Sequence, residues 1–93
     1  MEGYLVVLSR SKEGAWKRRW CVLDSSMMLF LHDKADHSQL KGQIKVRAAK
    51  SVANERHGRH HLVDFEATDG MTTTVSAESE DAKRAWLAAV SFV

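Results

Sequence analysis

The pattern of apolar and polar residues predicts a chain made mostly of β-strands. Short apolar or alternating runs are separated by polar breakers that contain Gly, Asp or Ser, as in antiparallel β-proteins. Short connections between the first three runs favour a β-meander. The seven predicted strands are Tyr4–Leu8, Trp16–Leu23, Met27–His32, Gly42–Arg47, a short one near Val52, Leu62–Ala67 and Met71–Ala77.

The last hairpin and the C-terminal segment carry the clearest signals. Asp69-Gly70, between two alternating runs, is a strong two-residue hairpin signal. After Ser79, a typical N-cap residue, the period changes to that of a helix over residues 80–91. A sheet of this size must close or stack, and such a helix can cover one open end. The predicted buried stripe of the helix is Ala82, Ala85, Trp86, Ala89 and Val90.

Length and composition indicate one small globular domain without internal cross-links. The 93 residues are 44% hydrophobic and 28% charged, which is ordinary for a chain with a packed core. Cys21 is the only cysteine, so no intramolecular disulfide can form, and a reducing compartment is favoured. No apolar run approaches the ~20 residues that cross a bilayer, and no secretory leader is predicted. We therefore expect any membrane contact to be peripheral.

Charge is distributed unevenly along the chain. Residues 10–59 contain twelve Lys or Arg against five Asp or Glu, whereas residues 60–93 contain two against six. The net charge of +2 thus combines a basic part with an acidic part. A polarised domain can orient on an anionic surface, although charges also sort by chance in a short chain.

Four sequence segments resemble, in order and spacing, the motifs of a pleckstrin homology (PH) domain. They are Glu2-Gly3-Tyr4-Leu5, Trp16–Leu23, Gly42-x-Ile44-x-Val46 and the helical Trp86. The opening and the Asp69-Gly70 hairpin also resemble spectrin-type members of the family. The resemblance covers essentially the whole chain.

The resemblance implies a mainly β fold, a seven-stranded, partly open barrel of two near-orthogonal antiparallel sheets capped by one C-terminal α-helix. The length indicates a single domain over residues 1–93, and because the chain starts and ends abruptly we expect it to be excised from a larger protein. In this family the loops gather at the barrel mouth, opposite the helix, and often bind phosphoinositide headgroups. Other members bind proteins, sometimes in signalling or cytoskeletal assemblies.

The first candidate anion site lies around the first hairpin. Lys17 and Arg19 share a strand face with Cys21 and Leu23, so they project near the barrel mouth if those two residues enter the core. Several converging donors, Arg above all, are what phosphate binding requires. Lys17-x-Arg19 matches the family's Lys/Arg-x-Arg ligand motif, and Arg10 and Lys12 in the adjacent loop complete the candidate set.

This first site has alternatives and two departures from the family pattern. Ligand-binding members carry a Lys on the first strand, where this chain has Val7. They carry a Tyr on the third strand, where this chain has Leu29, Phe30 and Leu31. The basic strand is otherwise interpreted as a solvated edge.

The second candidate site is the basic, His-rich loop Arg56–His61. In spectrin-like members the headgroup lies between the first loop and this one. The candidate ligand-binding residues here are Arg56, His57, Arg59 and His60. A secondary set, Lys34, His37 and Lys41, lies in the connection between the third and fourth predicted strands, where the family also contacts phosphates. The alternatives are an exposed polar turn or a strand that begins at His61. A metal site is disfavoured because no Cys or carboxylate stands at ligand spacing.

We therefore expect a non-catalytic module that targets membranes by binding phosphoinositide or anionic lipid headgroups. The alternative is a protein-interaction or intramolecular docking module with little lipid affinity. No nucleophile elbow or glycine-rich phosphate loop is present, so no catalytic residue, cofactor or metal is predicted. The basic loops lack interleaved aromatics, which disfavours nucleic acid. The expected location is cytoplasmic, peripheral at the inner face of the plasma membrane or another anionic membrane.

Overall fold

The computed structural model describes residues 1–8, 15–35, 39–53 and 58–91. Over these residues the chain forms strands that follow the predicted order, then one helix. The elements are β1 (Glu2–Leu8), β2 (Trp16–Leu23), β3 (Met28–His32), β4 (Leu40–Val52), β5 (Leu62–Ala67), β6 (Thr72–Ser76) and α1 (Glu80–Ser91).

The described strands form one closed antiparallel barrel in sequential order, with β6 returning to β1. The seam between β1 and β6 is short, with Val6 opposite Ser76 and Val7 opposite Val75. The mainly β fold with a C-terminal helix is therefore confirmed. The barrel is hydrogen-bonded all round, where a partly open one had been expected.

Strand β4 replaces two predicted strands. Gly42–Arg47 and the short strand near Val52 form one continuous element, so the described part of the chain has six strands where seven were predicted. The N-terminal part of β4 pairs with β3 and its C-terminal part pairs with β5. A register shift between Val46 and Ala48 separates these parts. Such an irregularity lets one strand turn a barrel corner without a break.

The core fills the barrel interior and the helix-covered end. Trp86 is 2% exposed and packs edge-on to Phe65, with ring centroids 6.3 Å apart. Alternate residues of each strand supply the remaining apolar side chains, as a half-buried sheet requires. The buried core cluster consists of Leu5, Cys21, Leu23, Leu29, Ile44, Val46, Val63, Phe65, Ala67, Val75, Ala77, Trp86 and Val90.

Helix α1 begins as predicted but buries a slightly different face. The Ala82 amide donates to Ser79 Oγ at 3.1 Å, which confirms the N-cap. Trp86 and Val90 are buried as expected. Ala85 is exposed, contrary to prediction, and Lys83 is buried instead. The buried stripe is centred on residues 83, 86 and 90, which the sequence pattern concealed because Lys is normally a surface residue.

Among the described residues, α1 is too short and too polar to cross a membrane, and no other helix occurs there.

Candidate ligand-binding site

Strand β2 sends its three consecutive basic residues to opposite faces of the barrel. Lys17 pairs with Val7 and Arg19 with Leu5, while Arg18 pairs with Val6. Directly paired residues share a face, and Leu5 is 1% exposed. Lys17 and Arg19 therefore lie on the inner face with Cys21, as predicted, and Arg18 lies on the outer face.

Arg19 is engaged by a carboxylate at the mouth of the barrel. Its Nη1 lies 3.1 Å from Asp33 Oδ1, directly after the end of β3. The side chains of Arg19 and Asp33 are 21% and 37% exposed. Lys17 is exposed. That Lys17 and Arg19 contact a ligand stays a prediction. A ligand at Arg19 would have to compete with Asp33 for the guanidinium group.

A cavity of about 280 Å³ lies on the outside of the barrel, and we call it the outer groove. It brings together Arg18 from β2 and Arg59 and His60 from the segment before β5. These three side chains belong to exposed residues. Its lining residues are Tyr4, Val6, Arg18, Gly58, Arg59, His60, His61, Ser76, Ala77 and Glu78.

An aromatic ring holds Arg18 at the groove. The Arg18 guanidinium carbon lies 3.8 Å from the centroid of the Tyr4 ring, a cation–π contact. Tyr4 in turn packs edge-on against Trp20, with centroids 4.8 Å apart. The guanidinium can stack on a ring while its N–H groups still face an acceptor, so this contact positions Arg18 without consuming its donors.

The segment 58–61 is fastened to the barrel by its backbone. Ser76 Oγ donates to the His60 carbonyl at 2.7 Å, and the Ala77 amide donates to the His61 carbonyl at 3.0 Å. His61 has a φ of 56°, in the left-handed region, so the chain turns sharply before β5 begins at Leu62. The alternative that His61 starts the strand is wrong.

Acidic residues border the same groove. Glu78 lines it, and Glu80 Oε2 lies 3.3 Å from Nδ1 of His61. Arg84 Nε is 3.8 Å from the other Glu80 oxygen. Part of the positive charge of the groove is therefore balanced locally.

A second cavity of about 480 Å³ opens at the mouth of the barrel. Apolar side chains such as Val7, Leu31 and Ile44 line much of it, together with Lys41 and Asp69. Of the secondary candidates, Lys41 thus reaches the mouth, while Lys34 is exposed beside Asp33. Among the described residues, the basic ones that line this cavity are Lys41 and Lys45, which lack the forked guanidinium donors of the two arginines in the outer groove.

Only some of the candidate residues predicted from the sequence lie in the described part of the chain. Arg10, Lys12, Arg56, His57 and His37 lie outside the described residues. Of the described candidates, Arg59 and His60 meet in the outer groove, whereas Lys17 and Arg19 face the other way. Sequence reasoning left Arg18 out of the site. The alternation of β2 placed Arg18 opposite to Lys17 and Arg19, and that signal was available.

Other reactive chemistry is weak in the described part of the chain. Burial raises the pKa of the Cys21 thiol to about 12, so it stays protonated and unreactive. Within residues 1–8, 15–35, 39–53 and 58–91, no group of three or more His, Cys, Asp or Glu residues could hold a metal ion.

A family model and solved structures both match this chain. The family model described as "PH domain" matches residues 1–93. The search of curated proteins found no match.

Solved structures share the whole fold. The C-terminal PH domain of pleckstrin in complex with D-myo-Ins(1,2,3,4,5)P5 is 20% identical, with a TM-score of 0.82, over 99% of this chain and 94% of that chain. The PH domain of human oxysterol binding protein-related protein 11 is 15% identical, with a TM-score of 0.80, over 97% and 75%. The tandem PX-PH domains of Bem3 from Saccharomyces cerevisiae are 20% identical, with a TM-score of 0.77, over 96% and 40%. At these identities the likeness shows the fold, and with the family match over every residue it leads to one conclusion: the chain belongs to the PH domain family.

Proposed function

We propose that this domain is a non-catalytic binding module whose outer groove takes phosphate-bearing anions, the headgroups of phosphoinositides or other anionic lipids. The observation that carries the proposal is that Arg18 from β2 and Arg59 and His60 from the segment before β5 line one cavity. Two guanidinium groups and an imidazole around one small space are suited to a compact polyanion.

The barrel supports the site by placing distant residues together. Arg18 is set by the register of β2 and by Tyr4, and the segment 58–61 is set by Ser76 and Ala77. A preorganised site loses less entropy on binding. A structural relative, the C-terminal PH domain of pleckstrin, was solved with an inositol pentakisphosphate, which supports the ligand class without assigning residues.

We infer a peripheral membrane role from the same site. An anionic headgroup presented on a bilayer adds the attraction of the surface to each exposed Lys or Arg, about 1 kcal/mol per charge. Such a module concentrates on the cytoplasmic face of the plasma membrane or on another anionic membrane. Arg10, Lys12, Arg56 and His57, which lie outside the described residues, remain proposed ligand contacts.

A protein partner is the second candidate function. It is favoured by Glu78 in the outer groove and by the Arg19–Asp33 ion pair, both of which reduce the positive potential. A protein partner can present acidic and basic groups side by side, so it can match this mixed charge. A phosphate carries only negative charge and is repelled by the carboxylates. The salt dependence of binding distinguishes the two functions. Added salt should weaken binding to a charged membrane more than binding to a protein through apolar contacts, because salt screens charge–charge attraction.

The test is to neutralise the two arginines of the groove together. The double substitution Arg18→Gln and Arg59→Gln is expected to weaken binding to vesicles containing phosphatidylinositol bisphosphate by about tenfold or more, given about 1 kcal/mol per charge near the surface. Co-sedimentation with vesicles, with and without the phosphoinositide and at two salt concentrations, measures it. The thermal midpoint should be nearly unchanged, because exposed charges contribute little to folding.

A matched control separates the groove from total charge. Arg47→Gln with Lys50→Gln removes the same charge from β4, where both residues are exposed and neither lines the outer groove. Equal losses for the two double variants would reduce the effect to diffuse electrostatics. Unaltered binding in the Arg18 and Arg59 variant would rule the groove out as the site.

A further inference from the structure

We propose that Asp33 is a built-in anion that occupies Arg19 and excludes multivalent phosphates from the mouth of the barrel. Asp33 would then withhold Arg19 from any phosphate that approaches the mouth. The proposal concerns Arg19 on the inner face, so it stands or falls separately from the proposed function, which rests on Arg18 and Arg59 on the outer face.

The contact engages a guanidinium donor that a bound phosphate could otherwise use. Arg19 Nη1 lies 3.1 Å from Asp33 Oδ1, and the Arg19 side chain is only 21% exposed. A carboxylate and a phosphate oxygen use the same guanidinium donors. With one of its N–H groups already engaged from within the protein, Arg19 has fewer donors for an external ligand.

Strand register, rather than a loop conformation, delivers Asp33 to Arg19. The β2–β3 ladder ends with Trp20 opposite His32, so the next residues outward on the two strands are Arg19 and Asp33. The Asp33 amide donates to the Gln39 carbonyl at 2.9 Å, which fixes its backbone across the connection to β4. The carboxylate is therefore in place before any ligand arrives.

An incoming phosphate meets two obstacles at this position. It must break the existing ion pair, and it must then lie beside the released carboxylate, since Asp33 is held by its backbone. Like charges at such a distance repel. Exposed Lys17 on the same face could join Arg19 around a phosphate only after Asp33 lost its charge.

The experiment is the substitution Asp33→Asn, which removes the charge and keeps the size and one acceptor oxygen. Affinity for inositol hexakisphosphate by calorimetry, and for vesicles containing phosphatidylinositol bisphosphate by sedimentation, is expected to rise about fivefold, the effect of one charge at a membrane surface. The two probes distinguish a soluble phosphate from a lipid headgroup. The gain should appear in the wild-type background and also with Arg18→Gln and Arg59→Gln, where the outer groove is disabled.

Two further variants make the result specific. Adding Arg19→Gln should remove the gain, because Arg19 is the donor that Asp33 releases. Asp81→Asn makes the same charge change on an exposed residue in the first turn of α1 and should give little gain. An absent gain in Asp33→Asn, a gain matched by Asp81→Asn, or one that survives Arg19→Gln would overturn the proposal.

A complementary measurement covers the case in which Asp33→Asn folds poorly. Arg19→Gln alone, in an otherwise wild-type domain, should leave phosphate binding unchanged, because the ligand does not use Arg19 while Asp33 holds it. A clear loss of affinity for either probe in that variant, with an unchanged thermal midpoint, would show that Arg19 contacts the ligand and that Asp33 does not exclude it.

Discussion

The ammonium group of Lys83 lies in the interface between helix α1 and the barrel. The residue is 7% exposed, and Nζ donates to the Val52 carbonyl near the end of β4 at 3.2 Å. A buried Lys is tolerated when its aliphatic stem packs and its charged end has an acceptor. Lys83 therefore joins helix and strand through both packing and a charge-assisted hydrogen bond.

We expect Lys83→Ala to destabilise the domain by about 2–3 kcal/mol, because it removes packed methylene groups as well as the donor. Lys83→Met keeps a stem of similar length and should cost only about 1 kcal/mol. Urea denaturation followed by tryptophan fluorescence measures both. Arg84→Ala, on the exposed neighbour, is the control and should change stability by less than about 0.5 kcal/mol. A Lys83→Ala variant as stable as that control would contradict a structural role.

At the scale of elements, helix α1 covers one end of the barrel and fills it with the Trp86 side chain. The indole is 2% exposed and packs edge-on to Phe65 of β5, and its ring lies beside Gly3 at the start of β1. The Trp86 side chain thus connects the helix with β1 and β5. Its loss would open the core at the covered end.

Trp86→Ala is expected to cost about 3–5 kcal/mol, as the removal of a large buried aromatic does. Since a small domain has only about 5–15 kcal/mol in total, this approaches unfolding. Trp86→Phe, which keeps a ring against Phe65, should cost distinctly less. Thermal and urea unfolding by circular dichroism compare the three proteins. A cooperatively folded Trp86→Ala variant of near-normal stability would refute the role of the helix in closing this end of the barrel.

Most elements were predictable because their signals are local. The alternation of apolar and polar residues predicted the strands. Asp69-Gly70 predicted the last hairpin, and Ser79 predicted the start of α1. The continuity of β4 was not predictable, since it depends on which strand each part pairs with, beyond any local window. The burial of Lys83 was not predictable for a related reason, because the carbonyl that accepts its hydrogen bond belongs to Val52, which is distant in sequence.

The candidate site was only partly predictable, for the same physical reason. Sequence reasoning identified β2 and the segment before β5 as two candidate sites, but on β2 it selected Lys17 and Arg19 instead of Arg18. The register places Arg18 with Arg59 and His60. The contact of Arg19 with Asp33 depends on where the β2–β3 ladder ends, which no spacing along the chain reveals.

At the scale of the whole molecule, the outer groove lies where the basic and acidic parts of the chain meet. Arg18 and Arg59 come from the basic part, and Glu78 from the acidic part. Some acidic side chains elsewhere are already engaged: Asp64 accepts a hydrogen bond from Thr74, and Glu66 pairs with Arg47. At the groove itself two arginines face one glutamate, so one added proton on an imidazole would raise the net charge of the lining from +1 to +2.

His60 is the group whose protonation should raise that net charge. It is exposed and lines the groove with Arg18, Arg59, His61 and Glu78. An anion beside an imidazole favours its charged form, so ligand binding and proton uptake reinforce each other. Because histidine side chains gain their charge between about pH 7.5 and pH 6, affinity for anionic vesicles should strengthen as the pH falls through this interval.

We expect this gain to be at most roughly tenfold, because one exposed charge near a membrane contributes about 1 kcal/mol. His60→Gln should flatten the pH dependence and leave binding at the higher pH nearly unchanged. Vesicle sedimentation at matched ionic strength measures both proteins. His61→Gln is the companion variant, because His61 faces Glu80 as well as the groove. Binding that ignores pH in the wild-type domain would show that the imidazole does not face the ligand. A response that survives His60→Gln and disappears in His61→Gln would instead arise from the Glu80 contact, through the position of the segment 58–61.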